Sequence, residues 1–139
     1  MDTKELSSSL GTAVSKLYKS LRRKNDSIKN YSLTEVETIM HLFRSSPQLP
    51  TELAAVVKIT TQSMSQILKK MEGQGIIKRI PSKDDKRKVY ISLTPLGKKM
   101  VEQVRYDTHE WLRGAIEKQL TDKEMEIITK AIPILNKLI

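Results

Sequence analysis

Thr60, Thr61, Gln62, Ser63, Ser65, Gln66 and Lys69 crowd seven hydrogen-bonding side chains into ten residues. Hydroxyls and carboxamides both donate and accept, so such a run can read base edges as well as bind water. A helix surface chosen for solubility alone would more often be rich in Glu and Lys, and an ordinary solvated face is the competing reading. A second cluster is Lys83-Asp84-Asp85-Lys86-Arg87-Lys88. Two acids in an otherwise basic loop are counterproductive if charge alone matters. A carboxylate two residues before an arginine can fix the guanidinium through a bidentate contact. Asp85 would then hold Arg87 for a narrow minor groove, which attracts arginine, and leave Lys83, Lys86 and Lys88 for phosphates. The plainer alternative is a surface ion pair worth about 0–1 kcal/mol.

The surroundings of these clusters are basic. The 139 residues carry 25 Lys and Arg against 16 Asp and Glu, a net charge of +9. Residues 1–30 are net +4, 31–100 net +6 and 101–139 net −1. The positive centre calls for a polyanionic partner, nucleic acid or an anionic membrane surface. No apolar run approaches the ~18 residues of a membrane span, and the N-terminus lacks a signal-peptide core. A soluble, cytoplasmic domain with no membrane partner is therefore expected. There is no Cys, which excludes disulfides, thiolate–zinc sites and cysteine redox sensing.

The elements that must position the clusters are mostly helices. Leu6, Leu10, Ala13, Val14, Leu17 and Leu21 recur at three and four residues, one amphipathic stripe. Thr34 and Glu37 form a T-x-x-E start signal for a second helix, which should end near Ser45-Ser46-Pro47. Pro50 opens a short third helix running to about Lys58. Thr60 is the N-cap of a fourth, with Met64, Ile67, Leu68 and Met71 on its apolar face and Gly73 and Gly75 at its end. Strands are expected at Ile76–Ile80 and Val89–Leu93, joined by the charged loop Pro81–Lys88. In the second strand Val89, Ile91 and Leu93 point inward. Thr94-Pro95 starts a long fifth helix whose stripe runs from Leu96 to Leu120. Thr121 and Glu124 start a sixth, in which Pro133 should cause a kink or end the regular hydrogen bonding.

Two helices around the tight turn Lys58-Ile59-Thr60, followed by a basic hairpin, make a winged helix-turn-helix. The second helix of such a pair can enter a major groove about 12 Å wide and read it from its N-terminal half. In this reading Gln62, Ser63 and Gln66 meet bases, while Thr60, Thr61, Ser65 and Lys69 position the helix. The series Leu33-Thr34, Leu53-Ala54, Gly75-Ile76-Ile77-Lys78-Arg79, Asp85-Lys86-Arg87 and Leu93-Thr94-Pro95-Leu96-Gly97 resembles the MarR family of bacterial transcription regulators along essentially the whole chain. Two positions depart from that pattern: Lys58 stands where Gly is common in the turn, and Glu37 where Gln is common.

The resemblance implies a mainly α fold with a small β-hairpin wing. Residues 33–94 would form the DNA-binding domain, and 1–32 with 95–139 an intertwined helical dimerisation region. It implies a homodimer on inverted-repeat double-stranded DNA, acting as a repressor. The terminal stripes agree, because a winged domain of this size leaves them uncovered. Leu6, Leu10, Leu17, Ile127, Ile128, Ile132, Leu135 and Leu138 are the expected interface set, against a monomer that folds them back on itself. A sequence-tolerant architectural nucleic-acid binder is the alternative function, since phosphate attraction carries no sequence information.

Family members commonly respond to a small, often anionic aromatic effector, for which Tyr31, His41, Arg105 and Tyr106 are loose candidates beside a plain packing role. The only histidines are His41 and His109, and the residue one turn after His109 is Arg113, which does not ligate, so no metal site is expected. No cofactor is implied. There is no Gly-rich phosphate loop, nucleophile elbow or H-E-x-x-H motif, and no enzyme activity is expected.

Overall fold

The computed structural model describes residues 1–139. Six helices and one hairpin follow in order: α1 (Thr3–Lys24), α2 (Leu33–Arg44), α3 (Pro50–Val57), α4 (Thr61–Gly73), β1 (Ile77–Pro81), β2 (Val89–Leu93), α5 (Pro95–Gln119) and α6 (Asp122–Asn136). The expected order of elements is reproduced. Local chemistry sets most starts. Thr60, Thr94 and Thr121 each accept a hydrogen bond from the backbone three residues on, satisfying an N–H that the helix itself leaves free.

The start of α2 differs from expectation. Ser32, not Thr34, is its cap: the hydroxyl accepts from Glu35 N at 3.1 Å, and the Glu35 carboxylate accepts from Ser32 N at 3.1 Å. Two overlapping signals, S-x-x-E and T-x-x-E, compete here, and the earlier one adds a Glu35 contact to α4 described below. The expected strand Ile76–Ile80 is shifted by one residue, because Ile76 N still bonds Met71 O in the turn after α4. Pro81 closes β1 on the open edge of the sheet, where the missing N–H costs nothing. Pro133 does not end α6, which runs on to Asn136; the carbonyl it leaves unpaired belongs to exposed Thr129, where water can reach it.

β1 and β2 pair antiparallel, Ile77 with Leu93, Arg79 with Ile91 and Pro81 with Val89. Gln48 adds a one-residue bridge on the other side, with N–H···O bonds to and from Ile91 at 2.9 and 2.7 Å. β2 is thus held on both edges and lies against the core. That core joins α2, α3, α4, the hairpin and the first turns of α5, with Leu42, Leu53, Met64, Leu68, Met71, Ile91 and Val101 all within 1% of full burial.

Outside this unit the helices are barely covered. α1 and α6 bury no residue, and α5 buries only Gly97, Val101 and Val104. Leu96, expected on the buried stripe, is 56% exposed. Helical spacing sets it to one side of the buried line of Gly97, Val101 and Val104. α1 is fastened to α5 by Asn25, 1% exposed, whose amide donates to Val104 O at 3.1 Å and Thr108 Oγ1 at 2.9 Å.

Candidate nucleic-acid interface

The turn before α4 carries one unusual backbone. Lys58 caps α3 in the left-handed region at φ 63°, ψ 45°, the position where glycine is the unstrained choice. Here a lysine holds that left-handed conformation. Ile59 N then bonds Ala54 O, and Thr60 starts α4.

All seven predicted residues of this segment are exposed. Helical spacing puts Gln62, Gln66 and Lys69 opposite the buried Met64, Leu68 and Met71. Thr60 caps the helix, its hydroxyl accepting from Ser63 N at 3.0 Å and donating to Ser63 Oγ at 2.9 Å. Ser63 keeps its own hydroxyl proton for an outside acceptor.

The wing has the geometry its sequence implied. Asp85 Oδ1 accepts from Arg87 Nε at 3.3 Å and Oδ2 from Arg87 Nη2 at 3.5 Å, while Arg87 N donates to Oδ1 at 3.0 Å. The backbone N–H of Arg87, then its guanidinium, hold the Asp85 carboxyl below the usual aspartate range. The arginine side chain is 91% exposed. The guanidinium is therefore held by Asp85 yet open to solvent at the tip. Lys83, Lys86 and Lys88 surround it, all exposed. Ser82 was not singled out in the sequence, yet it organises the turn: its hydroxyl accepts from Asp84 N and Asp85 N, and its N–H donates to Lys88 O. A serine three residues before an aspartate in a loop is the signal that marks it.

A second missed residue is Glu35. Its side chain is only 11% exposed and receives Lys70 Nζ at 2.7 Å across α2 and α4. Burial pushes its carboxyl up, but the bonds from Lys70 and from the Ser32 N–H and hydroxyl outweigh burial and hold it below the usual range. Arg79, in β1, bonds Glu72 at the end of α4 at 3.2 Å and ties that helix to the hairpin.

The loose effector candidates are not assembled. Lys70 Nζ lies 5.4 Å from the centre of the Tyr31 ring, and the Arg105 guanidinium 5.8 Å from that of Phe43. Tyr106 is 62% exposed. None of the four lines the cavity between α2 and α5, which measures about 10 Å³ and is walled by apolar side chains including Ile39, Met40 and Val104. His41 is half-buried on α2 and His109 exposed on α5, and no group of three His, Cys, Asp or Glu converges to hold a metal. No helix is long and apolar enough to cross a membrane. The expected interface set is open on this single chain, Leu17 at 51%, Ile127 at 65% and Ile128 at 48% exposure.

Known proteins are similar to this chain in sequence and fold. The family model described as MarR family matches residues 31–89. The homoprotocatechuate degradative operon repressor of Escherichia coli is 33% identical over 104 residues, covering 73% of this chain and 70% of that one. An HTH-type transcriptional regulator of Mycobacterium bovis is 27% identical over 134 residues, covering 96% and 92%. Among solved structures, a mutant of Staphylococcus aureus MepR bound to an oligodeoxyribonucleotide superposes with a TM-score of 0.72 at 20% identity, covering 95% and 97%.

Proposed function

The chain belongs to the MarR family and is a sequence-specific DNA-binding transcription regulator; from that premise we propose that it works in the cytoplasm as a homodimeric repressor on inverted-repeat operators. The observation that carries the reading is the pairing of two surfaces on one unit. One is the polar N-terminal half of α4, and the other is Arg87, exposed but held by Asp85. Gln62, Ser63 and Gln66 read bases in the major groove. Thr60, Thr61, Ser65 and Lys69 set the helix against the backbone, Arg87 enters the adjacent minor groove, and Lys83, Lys86 and Lys88 meet phosphates.

Surface chemistry supports dimerisation. Leu6, Leu10, Leu17, Ile127, Ile128, Ile132, Leu135 and Leu138 lie on helices that bury nothing in the single chain. Residues 1–32 and 95–139 form the dimerisation region, and 33–94 the reading unit. A two-fold protein places its recognition helices about 34 Å apart, so each half-site falls in a successive major groove. Regulator and repressor relatives do not favour the architectural alternative, which is set aside. A small-molecule effector that releases the DNA completes the proposal, with its chemistry open. No catalytic role is assigned, in keeping with relatives that regulate transcription.

The test is affinity selection of sheared genomic DNA on the purified protein at about 0.15 M salt, followed by sequencing. One inverted repeat with centres a helical turn apart is the expected outcome. An even pool, obtained again after denaturation and refolding to remove any bound effector, would overturn it.

A further inference from the structure

α4 carries two neighbouring lysines that differ in their partners. Both are solvent-exposed, but Lys69 has no protein partner on the face opposite the core, whereas the Lys70 ammonium reaches across to α2. Helical spacing places Lys70 one turn after Gln66 and two after Ser63, beside the reading surface. On spacing alone it would be taken for one more phosphate contact. Its ammonium is instead held from two sides, by Glu35 Oε2 at 2.7 Å and by the Tyr31 ring at 5.4 Å. Neither partner is loose. Glu35 is fixed by Ser32 N at the start of α2, and the Tyr31 carbonyl accepts from Arg22 in the last turn of α1. A continuous set of contacts thus runs from the end of α1 through Tyr31 to the last turn of α4.

We propose that Lys70, clasped by Glu35 and Tyr31, is a positioning residue for operator recognition that fixes α4 relative to α1 and so sets the separation of the two reading helices. The inference rests on the dimeric operator reading above. A displacement of α4 in both subunits would change the distance between them while leaving the bases read by each one unaltered. The link therefore controls which spacing between half-sites is accepted, not which bases.

The experiment uses the full chain and duplexes bearing the selected inverted repeat, its spacer kept, or lengthened or shortened by one base pair. Binding is measured across a salt series for wild type, Lys70→Met, Lys70→Arg and Glu35→Gln. Lys70→Met and Glu35→Gln should bind the native spacing about tenfold more weakly and discriminate less among spacers, with the salt slope of each unchanged. Lys70→Arg, which keeps the charge and the stacking, should restore both affinity and discrimination. A salt slope lowered by about one unit in Lys70→Met would make Lys70 a phosphate contact and overturn the proposal. Equal loss on every spacer would also overturn it, as the mark of plain destabilisation. If Lys70→Met does not fold, Glu35→Gln alone decides by the same criteria. A wild-type protein that selects no inverted repeat overturns the operator reading itself, an outcome distinct from the others.

Discussion

Gly97 lies so close to Ile76 that a Cβ on it would stand 2.3 Å from the Ile76 carbonyl oxygen. That oxygen is held, because it accepts from Thr94 N at 3.0 Å, while the Thr94 hydroxyl donates to the neighbouring Gly75 O at 2.5 Å. The first turn of α5 is thereby locked onto the base of the hairpin, and the glycine of Leu93-Thr94-Pro95-Leu96-Gly97 has a steric reason. Gly97→Ala should cost roughly 2–3 kcal/mol, since a backbone atom has to move. Thermal or urea unfolding checks this, and an unchanged midpoint would disprove the contact.

Features within a few residues of each other were legible in the sequence. Thr60, Thr94-Pro95 and Thr121 marked their helices because a cap acts over three residues. Asp85 and Arg87 could be paired for the same reason. At the start of α2 two capping signals overlap, and only Lys70, 35 residues after Glu35, distinguishes Ser32 from Thr34. Asn25 bonds to α5 some 79 residues away, and Gln48 pairs with Ile91 as a single residue without strand periodicity. No local pattern encodes such partners. The site residues themselves were read from type and spacing, but the groups that hold them, Ser82, Glu35 and Lys70, were not.

The wing makes a separable prediction. Arg87→Ala should weaken operator binding by about 1–3 kcal/mol and relax preference at the flank of the site. Asp85→Ala makes the protein more positive, yet should lose flank preference too, because the guanidinium is no longer oriented. A charge-only wing would instead bind more tightly after Asp85→Ala. With its carboxyl held below the usual aspartate range, Asp85 is ionised throughout about pH 6 to 8, so its hold on Arg87 should not vary there. Selection and titration with both variants decide the matter.

Reading and anchoring residues should differ in kind. Gln66→Ala should change the preferred bases inside each half-site, and an identical motif after selection would remove Gln66 from the reading set. Lys86→Ala should weaken binding to all sequences alike and lower the salt slope by about one unit. A change of motif in that variant would contradict a phosphate role.

The Glu35–Lys70 pair carries a pH signature in stability. Glu35 has a lowered folded value, below the ordinary 4.5. Its contribution is therefore complete above the unfolded value and is lost as pH falls through the folded one. Wild type should exceed Glu35→Gln by on the order of 1 kcal/mol near neutrality, a figure kept small because the Lys70 side chain is 46% exposed. The two melting curves should converge only in acid below 4.5. A gap that persisted there would assign the effect to the shape of the amide rather than to the charge.

The dimer is tested by placing charge on a face that the single chain leaves open. Ile128, on α6, is 48% exposed, and Leu17, on α1, is 51% exposed, so a glutamate at either disturbs no packed core of the subunit. In a homodimer the same carboxylate would be buried twice, once from each subunit, at a cost of several kcal/mol per uncompensated charge. Ile128→Glu should therefore keep its helical circular dichroism, sediment as a monomer at concentrations where the wild type sediments as a dimer, and lose high affinity for the full inverted repeat. Binding to an isolated half-site should change much less, because the residues of α4 and the wing are untouched. A variant that remains dimeric with intact affinity would remove the α6 face from the interface and favour a chain that covers these stripes in another way.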